Sequence, residues 1–535
     1  MNLRTSVARP VPATSFLERA LAGEFGSAVT APGGRLASQA EAVRDRVAIF
    51  TNGSIFVLDT HVRDNGVLSV LHLAKLAKIP LRDPVVVEME RIKILNAPAQ
   101  AGQSARAGDG GELQTTERQI IDRLKDALEA RATDVHISID GGVGTVEYRV
   151  DGVLVPKEQA SPADLMRFIR SAFTMADTRD ANFVDTLTQS GRVASGDRFR
   201  LPEGLETVRM TYAPTPSGSV LAMRLLHSRG AKGGSGLMGL GYTPDQIEVL
   251  DELTDRTSGA VIVAGRMNSG KSTTVKCALE WTIEKSEGGR RVVTIEDPVE
   301  LRIVGAKQTS ITDARTTEER AERFAQQIRM TLRMDVNDIM IGEIRDAVVA
   351  DAAIEVAMTG HKLWTTVHTY SAFGIVERLL DLGIEAYKVG NPKHISGLVC
   401  QSLLRKLCPH CSIPLTDAKA PIKPHLRKDL EQLATDLLRV RIGFAKGCPR
   451  CLRGFLGRTL VAEVVRTDAD IMSHVRGGQI AAAEKAWMSR CEPTMFEHAM
   501  TKVLAGEVCP VEVAQSVSDA RLAGVRFDVL EKMQR

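Results

Sequence analysis

Residues 264–274 read A-G-R-M-N-S-G-K-S-T-T, directly after the apolar run V-I-V at 261–263. Gly265, Gly270, Lys271 and Ser272 satisfy G-x-x-x-x-G-K-[ST], a phosphate-cradling loop when it leaves a strand and opens a helix. Both flanks fit: a β-branched run precedes the stretch, and T-T-V-K-C-A-L-E-W-T-I-E follows it with helical character. In such a loop successive backbone N–H groups face inward and hold phosphate oxygens, helped by the positive end of the following helix. Lys271 is then expected to neutralise the β and γ phosphates and Ser272 to reach Mg²⁺, with Asn268, Ser269 and Thr273 completing the nucleotide contacts. A glycine-rich turn matching by chance is the alternative, expected in about a few chains per hundred of this length from average composition.

A phosphate cradle alone does not hydrolyse, so acids are expected at the ends of neighbouring strands. V-V-T-I-E-D-P-V-E ends a β-branched run in Glu296 and Asp297, and D-I-M-I-G-E-I-R-D ends another in Glu343. One carboxylate there can orient an attacking water and a second can hold Mg²⁺ through its water shell. Taken singly, either acid reads equally well as a solvated strand end.

The chain has 535 residues, too many for one core, and about 150 residues per domain predicts roughly three or four units. Hydrophobic residues at 44% and charged residues at 25% match an ordinary globular protein. The 69 basic and 66 acidic residues leave a formal charge of +3, and aromatics are only 4%, so neither a nucleic-acid field nor a base-stacking surface is expected. Apolar runs such as G-A-V-I-V-A-G fall far short of the roughly 18 residues a spanning helix needs, and M-N-L-R-T-S-V-A-R-P lacks a following apolar export segment. A cytoplasmic location is the expectation.

Composition predicts a flexible tail over 1–35, a small domain over 36–97 with a hairpin at Thr51-Asn52-Gly53-Ser54, and a linker over 98–112. A mixed α and β domain is expected over 113–230, then a glycine-rich hinge over 231–237. From 238 to 397 strand-like and helical runs alternate, the signature of a parallel sheet covered by helices.

The order of these motifs resembles the assembly ATPases of type II secretion and type IV pili. In that family an Asp-rich box, a Walker B segment and a His box follow the phosphate loop. Here Thr294–Glu300 (T-I-E-D-P-V-E), Ile339–Asp346 (I-M-I-G-E-I-R-D) and Ala357–Thr369 (A-M-T-G-H-K-L-W-T-T-V-H-T) stand in that order. Upstream, A-T-D-V-H-I, Y-R-V-D-G-V and Q-S-G-R resemble landmarks of the family's second N-terminal domain, so the likeness runs from about Thr133 to Glu463.

The resemblance implies a RecA-like α/β P-loop ATPase domain behind a PAS-like α+β domain. It implies a homohexamer on the cytoplasmic face of the inner membrane, using ATP and Mg²⁺ and working on an inner-membrane platform protein, without nucleic acid. It also implies roles for Arg209, Arg224, Arg329 and Arg333 near the transferred phosphate and for His361 and His368 as sensors of nucleotide state, although each could equally be an ordinary surface or structural residue. Arg266, Met267 and Asn268 depart from the family's usual G-P-T-G-S-G-K-S, as Asp335-Val336-Asn337-Asp338 does from D-P-D-V and Gln401-Ser402-Leu403 from Q-R-L. Asn is the best replacement for a glycine of positive φ, so the loop geometry is expected to survive. The short N-terminal region and this loop resemble pilus ATPases of conjugation systems. The alternatives are a conjugative DNA-transfer ATPase, which would need a basic channel, and a nucleotide-binding scaffold without turnover.

Cys408-Pro-His-Cys411 and Cys448-Pro-Arg-Cys451 form two C-x-x-C knuckles. Four thiolates suit a closed tetrahedral Zn²⁺ site, and paired disulfides or free thiols are the other reading. The intervening residues 412–447 exceed a compact ribbon, yet doubling such a loop adds only about 0.6 kcal/mol of closure entropy against roughly 10 kcal/mol or more from a structural zinc. His410 could replace a thiolate, but four cysteines fill the shell. Within the resembling family this element accompanies extension rather than retraction motors. Residues 398–535 are accordingly expected to form a zinc-binding, mainly helical region.

Overall fold

The structure is a computed structural model of the chain. It describes residues 28–533 apart from 31–35, 37–39, 41–42, 44, 59–63, 83, 88–91, 93–94, 97–108, 177–182, 196–199, 228–235, 312–315, 418–421, 434–436, 518–525, 527–528 and 531–532. The tail expected at 1–35 is therefore described only at 28–30. The linker expected at 98–112 is described only from Asp109, where the backbone is helical, and the hinge at 231–237 only at Gly236 and Leu237. The chain divides into two compact units, 1–116 and 117–535.

In the first unit β1 (Val47–Ile49) and β2 (Ile55–Leu58) form the antiparallel hairpin expected around Asn52-Gly53. Gly53 has φ of 86°, and a Cβ there would stand 1.7 Å from the Pro80 carbonyl oxygen, so only glycine fits. β3 (Pro84–Val87) adds parallel to β2. α1 (Asn65–Leu76), capped by the Asp64 carboxylate accepting from Gly66 and Val67 N–H, packs Val67, Val70 and Ala74 on Val47, Ile49 and Val57.

The second unit begins with a six-stranded antiparallel sheet of β4 (Ala132–Asp140), β5 (Val143–Val150), β6 (Val153–Ala160), β7 (Gln189–Ala194), β8 (Leu205–Thr215) and β9 (Gly218–His227), in the order β6-β5-β4-β9-β8-β7. Two helices bury apolar stripes against it. α2 (Asp109–Glu129) contributes Ile120, Leu124 and Ala127, and α3 (Pro162–Thr174), with proline in its first turn, contributes Leu165, Phe168, Ile169 and Phe173. Each large side chain so buried stabilises by about 1.5–3 kcal/mol.

The remainder centres on a seven-stranded sheet, ordered β12-β11-β13-β14-β10-β15-β18. Its parallel strands are β10 (Gly259–Ala264), β11 (Val292–Glu296), β12 (Lys307–Ser310), β13 (Asp338–Ile341), β14 (Lys362–Val367) and β15 (Ile395–Leu407), with β18 (Phe455–Arg466) antiparallel on the edge. Every residue of β10, β11, β13 and β14 is buried, as a sheet covered on both faces requires. α4 (Pro244–Asp255) and α5 (Lys271–Lys285) cover one face; α6 (Thr317–Thr331), α7 (Ala347–Met358) and α8 (Ala372–Asp381) cover the other.

The division expected at 397/398 falls inside β15. Residues 395–407 and 455–466 are strands of the ATPase sheet itself, and β16 (Ile413–Pro414) pairs with β17 (Arg441–Ile442) beyond them. One helix, Pro424–Leu433, lies between β16 and β17, and further helices follow from Ala469 to Ser516.

Candidate functional site

In an open parallel sheet, ligands bind beyond the carboxyl ends of the strands. β10, β11, β13 and β14 run in register there, so the segments after Ala264, Glu296, Ile341 and Val367 meet along one edge. β10 opens into the phosphate loop. Gly265 has φ of 146°, Asn268 of 63° and Gly270 of 87°, so asparagine does occupy a left-handed position. A Cβ on Gly265 would lie 2.3 Å from the Gln401 carbonyl oxygen and 2.4 Å from Ser269 Oγ, which leaves the cradle only to glycine. Gly270 then caps α5, whose first residue is Lys271, aiming the helix N-terminus at the cradle.

Lys271 is nearly buried, and its ammonium donates to the Gly265 carbonyl at 2.9 Å and the Arg266 carbonyl at 3.1 Å. Burial lowers its pKa, an effect opposed by Glu343 and Glu300. His368, just after β14, lies 3.4 Å from Lys271 Nζ through Nδ1 and 3.2 Å from Glu343 Oε1 through Nε2. Burial, then the neighbouring ammonium, holds this imidazole below its ordinary pKa, an effect opposed by Glu343. Arg345 Nε reaches the other Glu343 oxygen at 3.0 Å. Phosphate loop, Walker B segment and His box are thus joined in one chain of contacts.

Glu296 is buried at the end of β11. Its Oε1 accepts from Thr294 Oγ1 at 2.7 Å and Gln308 Nε2 at 2.9 Å, and its Oε2 from the Glu300 N–H at 3.4 Å. Gly342, after β13, donates to the Ile295 carbonyl at 2.9 Å, setting the two acidic segments side by side. Glu300 Oε2 accepts from Ser272 Oγ at 3.2 Å, and its Oε1 pairs with Arg209 Nη1 at 3.1 Å. Arg209 also donates to the Pro298 and Val299 carbonyls at 3.2 and 3.3 Å, so one arginine of the six-stranded sheet grips the acidic loop.

Arg209 belongs to a cross-strand row. Arg192 pairs with Arg209, Arg209 with Arg224, Arg224 with Asp134 and Asp134 with Arg149, all on one face of the sheet. Asp134 holds Arg224 at 3.1 Å, so Arg224 stands beside the site without touching it. Arg329, Arg333 and His361 are not brought to the phosphate loop of this chain. Arg329 and Arg333 lie at the end of α6 before β13, and His361 immediately before β14, all at the amino edge of the sheet. Arg329 there pairs with Glu355 at 3.4 Å, and Thr359 Oγ1 lies 3.1 Å from His361 Nδ1.

The four knuckle cysteines converge at the far end of the β15–β18 hairpin, all sulfurs lying within 4.8 Å of one another. The separations of 3.8 Å for Cys408–Cys448, 3.6 Å for Cys411–Cys451 and 3.7 Å for Cys448–Cys451 match the edge of a tetrahedron about 2.3 Å from its centre, the Zn–S distance. The cluster therefore fits Zn²⁺. His410 turns outward to Arg450 at 3.2 Å and is not a ligand. Sequence reasoning missed Gln401, Tyr242 and Glu300 as parts of the site. Glu300 was visible inside the acidic box, and Gln401 inside the departure from Q-R-L.

Fold and site define a P-loop ATPase with a RecA-like core. The chain belongs to the family described as Type II/IV secretion system protein, which it matches over residues 110–516. It is 31% identical over 395 residues to the type II secretion system protein E of Pectobacterium carotovorum subsp. carotovorum, covering 73% of each chain. It is 30% identical over 404 residues to the type II secretion system ATPase E of Vibrio cholerae, covering 74% of each. Among solved structures, the pilus retraction motor PilT with bound ADP shares its fold at a TM-score of 0.51 and 20% identity over 75% of this chain and 97% of that one. The Legionella pneumophila ATPase DotB does so at 0.51 and 18%, over 74% and 94%. No helix among the described residues is long and apolar enough to cross a membrane.

Proposed function

We propose that this secretion-family ATPase is a Mg²⁺-dependent homohexameric motor on the cytoplasmic face of the inner membrane, powering assembly of a type IV pilus or type II pseudopilus through a platform protein. The observation that supports this most is the meeting of the phosphate loop, Glu296, Glu343 and His368 at one sheet edge, with Arg209 of the preceding domain gripping the acidic loop. Lys271 and the loop N–H groups bind the ATP phosphates, and Glu296, fixed by three donors, orients the attacking water. Ser272, which touches Glu300, and Glu343 would hold Mg²⁺ and its waters. Bound there, the metal neutralises charge on the β and γ oxygens. Arg329, Arg333 and His361, at the opposite edge, serve a neighbouring copy's site.

Arg209 ties nucleotide state to domain position. A γ-phosphate competes with Glu300 for its guanidinium, so binding and hydrolysis shift the 117–227 domain against the ATPase domain. Phosphate release from purified protein tests the reading. Turnover is expected with Mg²⁺ and none with excess EDTA; no release under either condition would leave a nucleotide-binding scaffold.

A further inference from the structure

Beneath the phosphate loop lies a buried polar network that none of the motifs explains. Gln401, on β15, is 1% exposed, Thr274 is 0% and Tyr242 is 7%. Gln401 Oε1 accepts from Tyr242 OH at 2.8 Å and from Thr274 Oγ1 at 2.9 Å, and Gln401 Nε2 donates to the Ser269 carbonyl at 2.8 Å. A backbone carbonyl can only accept, so the amide nitrogen must face Ser269, and two hydroxyl donors hold the amide oxygen on the opposite side. Every polar atom of the Gln401 side chain is thereby engaged.

We propose that Gln401 is a positioning residue for the phosphate cradle, and that the Tyr242 hydroxyl links its setting to the segment by which the chain enters the ATPase domain. A peptide unit is planar and trans, so the C=O of Ser269 and the N–H of Gly270 point in opposite directions. Drawing the Ser269 carbonyl down onto Gln401 turns the Gly270 N–H up into the cradle, where a phosphate oxygen accepts it. Gln401 acts on the other end of the loop as well, because its own carbonyl oxygen packs where a Gly265 Cβ would be, at 2.3 Å. The amide thus fixes the loop from below without touching nucleotide.

Tyr242 adds the link. It lies six residues past Gly236, just before Thr243 caps α4 with a reciprocal Gln246 bond, and Gln246 Nε2 donates to the Ala462 carbonyl at 2.8 Å. Tyr242 OH is also 3.2 Å from Thr274 Oγ1, in the first turn of the phosphate-loop helix. A displacement of the entering segment therefore acts on the amide and, through it, on the cradle.

This inference rests on the nucleotide-binding reading above, and the experiment separates the two failures. Affinity for a fluorescent ADP analogue, KM, kcat and melting temperature are measured for the full chain, Gln401→Leu, Tyr242→Phe, Thr274→Val and Thr274→Ser. No analogue binding by the wild-type chain would sink the nucleotide reading. Given wild-type binding, Gln401→Leu is expected to weaken the analogue and raise KM by about tenfold or more while kcat changes less than about threefold, because the lost interaction serves ground and transition states alike. Tyr242→Phe and Thr274→Val are expected to weaken binding by about threefold each, and Thr274→Ser to restore it. Tyr242→Phe loses a single hydroxyl and keeps the measurement available should Gln401→Leu not fold. Folded variants that shift only the melting temperature, with affinity and KM within twofold of wild type, would overturn the proposal.

Discussion

Replacing Glu296 by Gln is expected to cut ATP hydrolysis by about 10²- to 10³-fold, the scale of losing a positioned general base, while nucleotide affinity stays within about threefold. The substitution is nearly isosteric, and the amide oxygen can still accept from Thr294 Oγ1 at the 2.7 Å site. Gln308 Nε2 donates to that same oxygen at 2.9 Å and keeps its bond, so only the long 3.4 Å bond from the Glu300 N–H loses its acceptor. What disappears is the negative charge that, in the proposed role, polarises water beside the γ-phosphate. Single-turnover phosphate release alongside fluorescent-nucleotide binding checks this. A folded variant that hydrolyses at the wild-type rate would assign the water-orienting role elsewhere, with Glu343 next in line.

Removing the metal expected at Cys408, Cys411, Cys448 and Cys451 is the second large effect. The purified chain is expected to hold one zinc per chain, and replacing Cys448 and Cys451 together by Ser is expected to abolish it. Structural zinc contributes about 10 kcal/mol or more where a small module depends on it. Here the strands carrying the knuckles are also held by the sheet, from Gly397↔Arg466 to Leu407↔Phe455, so part of the element survives. Between the knuckles, Leu415, Leu430, Val440 and Ile442 are buried in the core of the sheet's α6–α8 face. They loosen when the four sulfurs are no longer tied, and a melting-temperature drop on the order of 10 °C follows from a loss of several kcal/mol. Full zinc content in the double variant, or unchanged melting after complete chelation, would contradict the assignment.

What was legible in the sequence was local. The phosphate-loop motif is read from eleven consecutive residues that run from the end of a strand into a helix, and Asn268 reads as a glycine substitute because few other residues tolerate positive φ. Two C-x-x-C pairs point to a tetrahedral metal site, with paired disulfides or free thiols as the other reading. What was not legible depends on closure over distance. Arg209 meets Glu300 from 91 positions away, and Gln401 reaches Ser269 across 132 and Tyr242 across 159. The β15–β18 ladder joins Leu404 to Thr459 across an intervening segment that itself holds the zinc knuckles, so the stretch read as mainly helical contributes two strands of the central sheet.

His361 shows the same limit in reverse. It stands close to His368 in sequence, but the six-residue strand β14 separates them by roughly 20 Å, at about 3.3 Å per residue. The resemblance implied a nucleotide-sensing role for both histidines; strand geometry puts them at opposite edges of the sheet, with His368 beside the phosphate loop of its own chain.

The central claim is that nucleotide turnover at the Lys271 loop moves the 117–227 domain against the ATPase domain. The most direct test is a distance measured between labels at exposed Gln159, on β6, and exposed Met330, on α6, in nucleotide-free, ATP-analogue and ADP states. The distance is expected to change by several ångströms when the analogue binds with Mg²⁺, to return after hydrolysis, and to stay fixed in Lys271→Ala. An identical distance in all three states, in a protein that is hydrolysing ATP, would contradict the account.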